Sequence, residues 1–95
     1  MTLREILNNI EQISDEHVIY ARKDPEWDLD SSAVLLRLDD AVDVHSHLEN
    51  LTYFLEIGIV KEVLEVWQQW RGRKPNELER IESILYYANN DAYLN

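Results

Sequence analysis

Leu3, Ile6, Leu7, Ile10 and Ile13 recur three and four positions apart and predict an amphipathic helix from Thr2 to about Ile13. Thr2 and Glu5 have the T-x-x-E spacing of a capping box, in which a hydroxyl and a carboxylate take up N–H groups that the first helical turn leaves free. Ser14-Asp15-Glu16 breaks the period. "HVIYAR", residues 17–22, is short, β-branched and aromatic, and predicts a strand. Asp24-Pro25 ends it, because proline brings no N–H to a ladder. "SAVLLRL", residues 32–38, predicts a second strand, with Val34, Leu36 and Leu38 on one face and Ala33, Leu35 and Arg37 on the other. The link between these strands suits a long hairpin and is too short for a helical crossover.

Residues 39–51 are polar and irregular, with a helical turn near His45 to Leu51. "TYFLEIG", residues 52–58, predicts a third strand, with Tyr53, Leu55 and Ile57 facing one way and Phe54 and Glu56 the other. A second helix is expected from about Ile59 to Arg71, with Val60, Val63, Leu64, Trp67 and Trp70 as its buried stripe. Gly72 is placed to end it in the left-handed conformation, and Pro75 prevents its continuation. Asn76 and Glu79 repeat the capping spacing ahead of a third helix, whose stripe is Leu78, Ile81, Ile84, Leu85 and Ala88. The order is α-β-β-β-α-α. This predicts an α+β domain: a three-stranded antiparallel sheet with helices packed on one face.

The chain has 95 residues, 45% of them hydrophobic, which is enough for one core and one small domain spanning residues 1–95. It has no cysteine, so disulfides, thiolate catalysis and cysteine-held zinc are excluded. Its start, "MTLREILNN", lacks the apolar core of a signal peptide, and no run approaches a membrane span. A reducing, cytoplasmic location is the expectation.

Charge changes the picture more. The formal net charge is −10, with −8 carried by residues 1–50. Residues 24–43 hold seven acids, Asp24, Glu26, Asp28, Asp30, Asp39, Asp40 and Asp43, against Arg37 alone. Such a belt repels a phosphate backbone and attracts a basic protein surface. Solubility alone also accounts for it.

Within the belt, "DPEWDLDSS", residues 24–32, alternates acids around Trp27 in the manner of oxygen ligands in a calcium loop. Counted from Asp24, however, Leu29 stands where such a loop needs glycine and Leu35 where it needs a bidentate glutamate. Two readings remain. With Trp27 turned inward the stretch is a solvated inter-strand loop; with Trp27 outward it is an apolar anchor ringed by acid. Asp43, His45 and His47 lie two apart and on extended backbone would share a face, a pattern that can hold zinc or iron, although no fourth ligand is evident. Ser14, Ser31, Ser32, Ser46 and Ser83 lack the setting of a nucleophile, and the two glycines, Gly58 and Gly72, cannot build a phosphate loop. No catalytic residue, cofactor or enzymatic activity is expected. Arg71, Arg73, Lys74 and Arg80 form the one basic group, with Trp70 and Tyr87 as candidate stacking partners. Helix-end capping explains the same residues. Trp27, Phe54 and Tyr93 are further candidates for exposed apolar surface.

"YFLEIGIVKEVLEVW", followed by "GRKP" and "YYANNDAY", resembles small, acidic, uncharacterised bacterial proteins of the domain-of-unknown-function kind, immunity-like or accessory in character. The resemblance covers roughly the C-terminal half. It implies an interaction protein and carries over no catalytic residue. The expected function is a non-enzymatic acidic interaction module that binds a basic protein partner through Asp24, Glu26, Trp27, Asp28, Asp30, Asp39, Asp40 and Asp43. The alternatives are a metal-binding protein using Asp43, His45 and His47, and a structural homodimer with no separate ligand.

Overall fold

In a computed structural model of the protein, residues 1–23, 26–38 and 51–93 are described. The elements are α1 (Leu3–Asn8), β1 (His17–Ala21), β2 (Ala33–Arg37), β3 (Thr52–Glu56), α2 (Ile57–Arg71) and α3 (Glu77–Asn90). The chain is α+β in the expected order. Its antiparallel sheet runs β2-β1-β3, with the first strand in the middle.

The capping box at α1 forms as the spacing predicts: Glu5 N–H donates to Thr2 Oγ1, and Thr2 N–H donates to Glu5 Oε1. The helix is shorter than expected. It ends at Asn8, and a single 3₁₀ turn, Ile10–Gln12, follows. Asn9 is the cause: its side-chain amide donates to the Glu5 carbonyl at 2.8 Å, taking up an acceptor that the helix end leaves free. The 3₁₀ turn still delivers Ile10 to the core. Lys61 of α2 anchors the exit from the turn, donating to the Ile13 carbonyl at 2.9 Å and to Asp15 at 2.7 Å.

One face of the sheet, with Ile19, Ala21, Ala33, Leu35 and Leu55, merges with Leu3, Ile6 and Leu7 of α1, Ile57, Val60 and Val63 of α2, and Ile81 and Ile84 of α3. The other face carries Tyr20 and Tyr53, packed edge to face with ring centroids 6.2 Å apart. The expected alternation in β3 fails, for a physical reason. Ile19 pairs with Leu55 but Tyr20 pairs with Tyr53, so Phe54 is an extra residue, a β-bulge. Tyr53 and Leu55, two apart, therefore face opposite sides, while Phe54 and Leu55, adjacent, are both buried.

The strand also ends earlier than the pattern suggests. Ile57 and Gly58 belong to the first turn of α2 rather than to β3. At the other end Gly72 caps α2 with φ +74°, and its N–H donates to the Gln68 carbonyl at 2.7 Å. Asn76 and Glu79 form the second capping box, at α3. Two stripe residues lie outside the core: Trp70 is 47% exposed and Leu78 is 74% exposed.

Candidate interaction surface

The stretch "EWDLDS", residues 26–31, is built by short-range polar contacts around one buried ring. Trp27 is 8% exposed. Its indole N–H donates to the Ala21 carbonyl at the end of β1, at 3.1 Å, and its ring meets Phe54 edge to face at 5.1 Å. The Lys23 ammonium lies 4.4 Å from the ring centroid. The bulge that turns Phe54 inward thus supplies the wall against which Trp27 packs.

The acids have local work to do. Asp28 opens a turn: its carboxylate accepts from Asp30 N–H at 2.8 Å, and its carbonyl accepts from Ser31 N–H at 3.1 Å. Ser31 Oγ accepts from Asp28 N–H in return, at 2.9 Å. The turn then caps α1, since the Ser31 and Leu29 carbonyls accept from Leu3 and Arg4 N–H, both at 3.0 Å. Asp30 approaches Arg4 at 3.5 Å with both side chains largely in solvent, a pair that contributes little.

Trp27 is thus the inward alternative of the sequence reading, not a protruding anchor. Its large apolar ring favours the inward position against Phe54, and the Ala21 carbonyl supplies the partner that a buried indole N–H needs. Glu26, Asp28 and Asp30 do face solvent. With Arg22, Ser31 and Ser32 they line an open cleft of about 400 Å3. Asp24, Asp39, Asp40 and Asp43, and the histidine pair His45 and His47, lie outside the described residues. Among the described residues no three His, Cys, Asp or Glu side chains are grouped to hold a metal ion.

On the other side of Glu26 lies a second, more apolar depression of about 500 Å3. It runs between residues 26–29 and α3 and is lined by Glu26, Trp27, Leu29, Leu78, Ile81, Glu82, Leu85, Tyr86, Asn89 and Asn90. Trp27 is fixed to α3 by Asn89, whose side-chain amide exchanges two 3.3 Å hydrogen bonds with the Trp27 backbone. The α3 residues of this groove are absent from the sequence-based site. A signal was present: Leu78, Leu85 and Tyr86 extend the apolar arc of the helix beyond Ile81, Ile84 and Ala88, farther round than one core contact can cover.

Part of the basic group of the sequence stays together: Arg71 shares the Trp67 ring with Arg73, its guanidinium 5.7 Å from the centroid. Arg73 makes a two-pronged contact with Glu79, at 2.8 and 2.6 Å, and lies 5.1 Å from the Trp67 ring centroid. Arg71 stacks on Trp70 at 4.2 Å, Arg80 turns toward Asn8, and Tyr87 packs with Tyr93 at 5.1 Å instead of with the arginines. Hydrogen bonds from the Arg73 guanidinium, reinforced by Asn76 N–H, hold the Glu79 carboxyl at about 2. These contacts lock the α2–α3 junction. Of the residues suggested as exposed apolar surface, Phe54 and Trp27 are buried and Tyr93 is 37% exposed. No helix among the described residues is long and apolar enough to cross a membrane.

The family model of a domain of unknown function, DUF7716, matches residues 1–95, and the chain belongs to that family. No match was found among curated proteins or among solved structures.

Proposed function

We propose that this member of the DUF7716 family is a non-enzymatic, acidic interaction module that binds a basic protein surface, in the manner of an immunity or inhibitor protein. The observation that carries the reading is the cleft at residues 26–32, where the carboxylates of Glu26, Asp28 and Asp30 face solvent around an anchored turn. An anchored turn fixes the backbone from which these carboxylates project, which lowers the ordering cost of binding. The net charge of −10 adds long-range attraction for a cationic partner. A chain with no cysteine gives up nothing in a reducing compartment, and the bacterial cytoplasm is the proposed location.

The test is titration of the purified domain against basic candidate proteins, those encoded beside it first, in low and high salt. Salt should weaken binding, and Asp28→Lys with Asp30→Lys should abolish it in a domain that circular dichroism shows still folded, with Asp30→Lys alone, which leaves the Asp28 carboxylate in its turn, weakening it. A partner whose affinity survives that double reversal would overturn the proposal.

A further inference from the structure

The acidic cleft adjoins a surface of different chemistry. The groove beside α3 carries Leu78, 74% exposed, and Tyr86, 39% exposed, above a floor that includes the edge of Trp27. Exposed apolar side chains gathered along a preformed depression mark a contact surface more than scattered ones do. The depression is preformed because Asn89 and Phe54 hold Trp27 in place. Glu26 stands on one bank and Glu82 on the other, and none of the described residues that line the groove is Lys or Arg.

We infer that this groove receives an amphipathic helix of the partner, with leucine-like residues on one face and Lys or Arg along both flanks. The inference rests on the acidic-module reading for its charge and adds the seat for an apolar contact. Three observations select this occupant. The acids on both banks match cations flanking an apolar stripe. A second copy docked by the same face would bring Glu26 and Glu82 against like charge, and an anionic lipid surface would meet the same repulsion. An extended peptide would find no backbone ladder to join: one wall is a helix, and on the other the Trp27 and Leu29 carbonyls already accept from Asn89 and Arg4. A helix satisfies its own backbone and needs only a groove. From Leu78 to Asn90 the wall is about 18 Å long at 1.5 Å per residue, room for about three helical turns.

The probe is a labelled peptide of about 16 residues, long enough to hold helical structure, with leucines at i, i+3, i+4 and i+7 repeats and lysines elsewhere. A scrambled peptide of the same composition is the control. Fluorescence anisotropy with the full-length domain should show the patterned peptide binding at least about tenfold tighter than the scramble. Leu78→Glu, at a solvent-facing position, should remove that preference while circular dichroism and melting temperature stay unchanged. Tyr86→Ser should reduce it. Equal affinity for the two peptides, no binding by the patterned one, or an unchanged preference in Leu78→Glu overturns the inference. If both peptides bind equally and Asp28→Lys with Asp30→Lys abolishes both, the groove fails and the acidic module stands. If Leu78→Glu removes binding and the charge reversal does not, the groove stands and the acidic module fails.

Discussion

Trp27 and Asn89, 62 residues apart in the chain, exchange two hydrogen bonds of 3.3 Å: the Asn89 carbonyl oxygen accepts from Trp27 N–H, and the Asn89 amide donates to the Trp27 carbonyl. The pair fastens the link between β1 and β2 to the outer side of α3, and so closes one end of the groove. A side-chain amide is doing here what a neighbouring strand does in a sheet. Asn89→Ala leaves two partly buried backbone groups without partners and should lower stability by about 1–3 kcal/mol. Asn89→Asp keeps an acceptor but loses the donor, and should fall between the two. Urea denaturation at an unchanged slope checks both.

Trp27 and Phe54 meet edge to face at 5.1 Å, the link on one side and the β-bulge on the other. Trp27→Ala should destabilise by about 3–5 kcal/mol through cavity formation and the loss of the indole hydrogen bond. A double-mutant cycle with Phe54→Leu should return a coupling of about 0.5–1.5 kcal/mol. Additive losses would mean that the two rings do not act as a unit.

The Arg73–Glu79 contact gives acid sensitivity with a defined sign. Hydrogen bonds from the Arg73 guanidinium, then from Asn76 N–H, lower the Glu79 carboxyl from its ordinary 4.5 to about 2 in the folded chain. A depressed carboxylate contributes its stability above the unfolded value and loses it as pH falls toward the folded one. Glu79→Gln keeps an acceptor for Asn76 N–H but loses the charge. Thermal melts of wild type and variant should therefore differ at neutral pH and converge between about 4.5 and about 2. A constant difference across that window would show that the charge contributes nothing.

Two helix ends use the left-handed backbone, with opposite consequences for substitution. Gly72 has φ +74°, and a Cβ built there meets nothing within 4 Å. Gly72→Ala should thus cost about 1–2 kcal/mol from backbone conformation alone. Asp91 caps α3 at φ 55° with a side chain present. Asp91→Gly should be neutral or stabilising by up to about 1 kcal/mol. Chemical denaturation of both variants checks the pair.

Much of the architecture was legible because it is set by local rules. Both capping boxes, the Gly72 stop and the element order follow from spacing within one helical turn or one strand. The errors fall where a distant contact competes with a local pattern. Alternation in "TYFLEIG" predicts Phe54 outside, but the bulge brings it in against Trp27. The stripe of α3 predicts Leu78 inside, but the core is already filled by Ile81 and Ile84. The candidate surface was half legible. Glu26, Asp28 and Asp30 were identified by charge, whereas Leu78, Glu82, Tyr86 and Asn89 meet Glu26 only through folding.

The sequence by itself determined that this is a small α+β domain, cysteine-free, strongly acidic in its first half, with helix ends written into T-x-x-E, N-x-x-E and a single glycine. Those are properties of composition and of neighbours within four residues, which a linear reading contains. The tertiary structure decided the direction of Trp27 and with it the meaning of "DPEWDLDSS". A buried indole N–H requires an acceptor, which Ala21 supplies, and the ring gains contacts from Phe54 and Lys23. No local rule fixes which of those partners will be within reach; packing does, and in turning the tryptophan inward it made the groove beside α3.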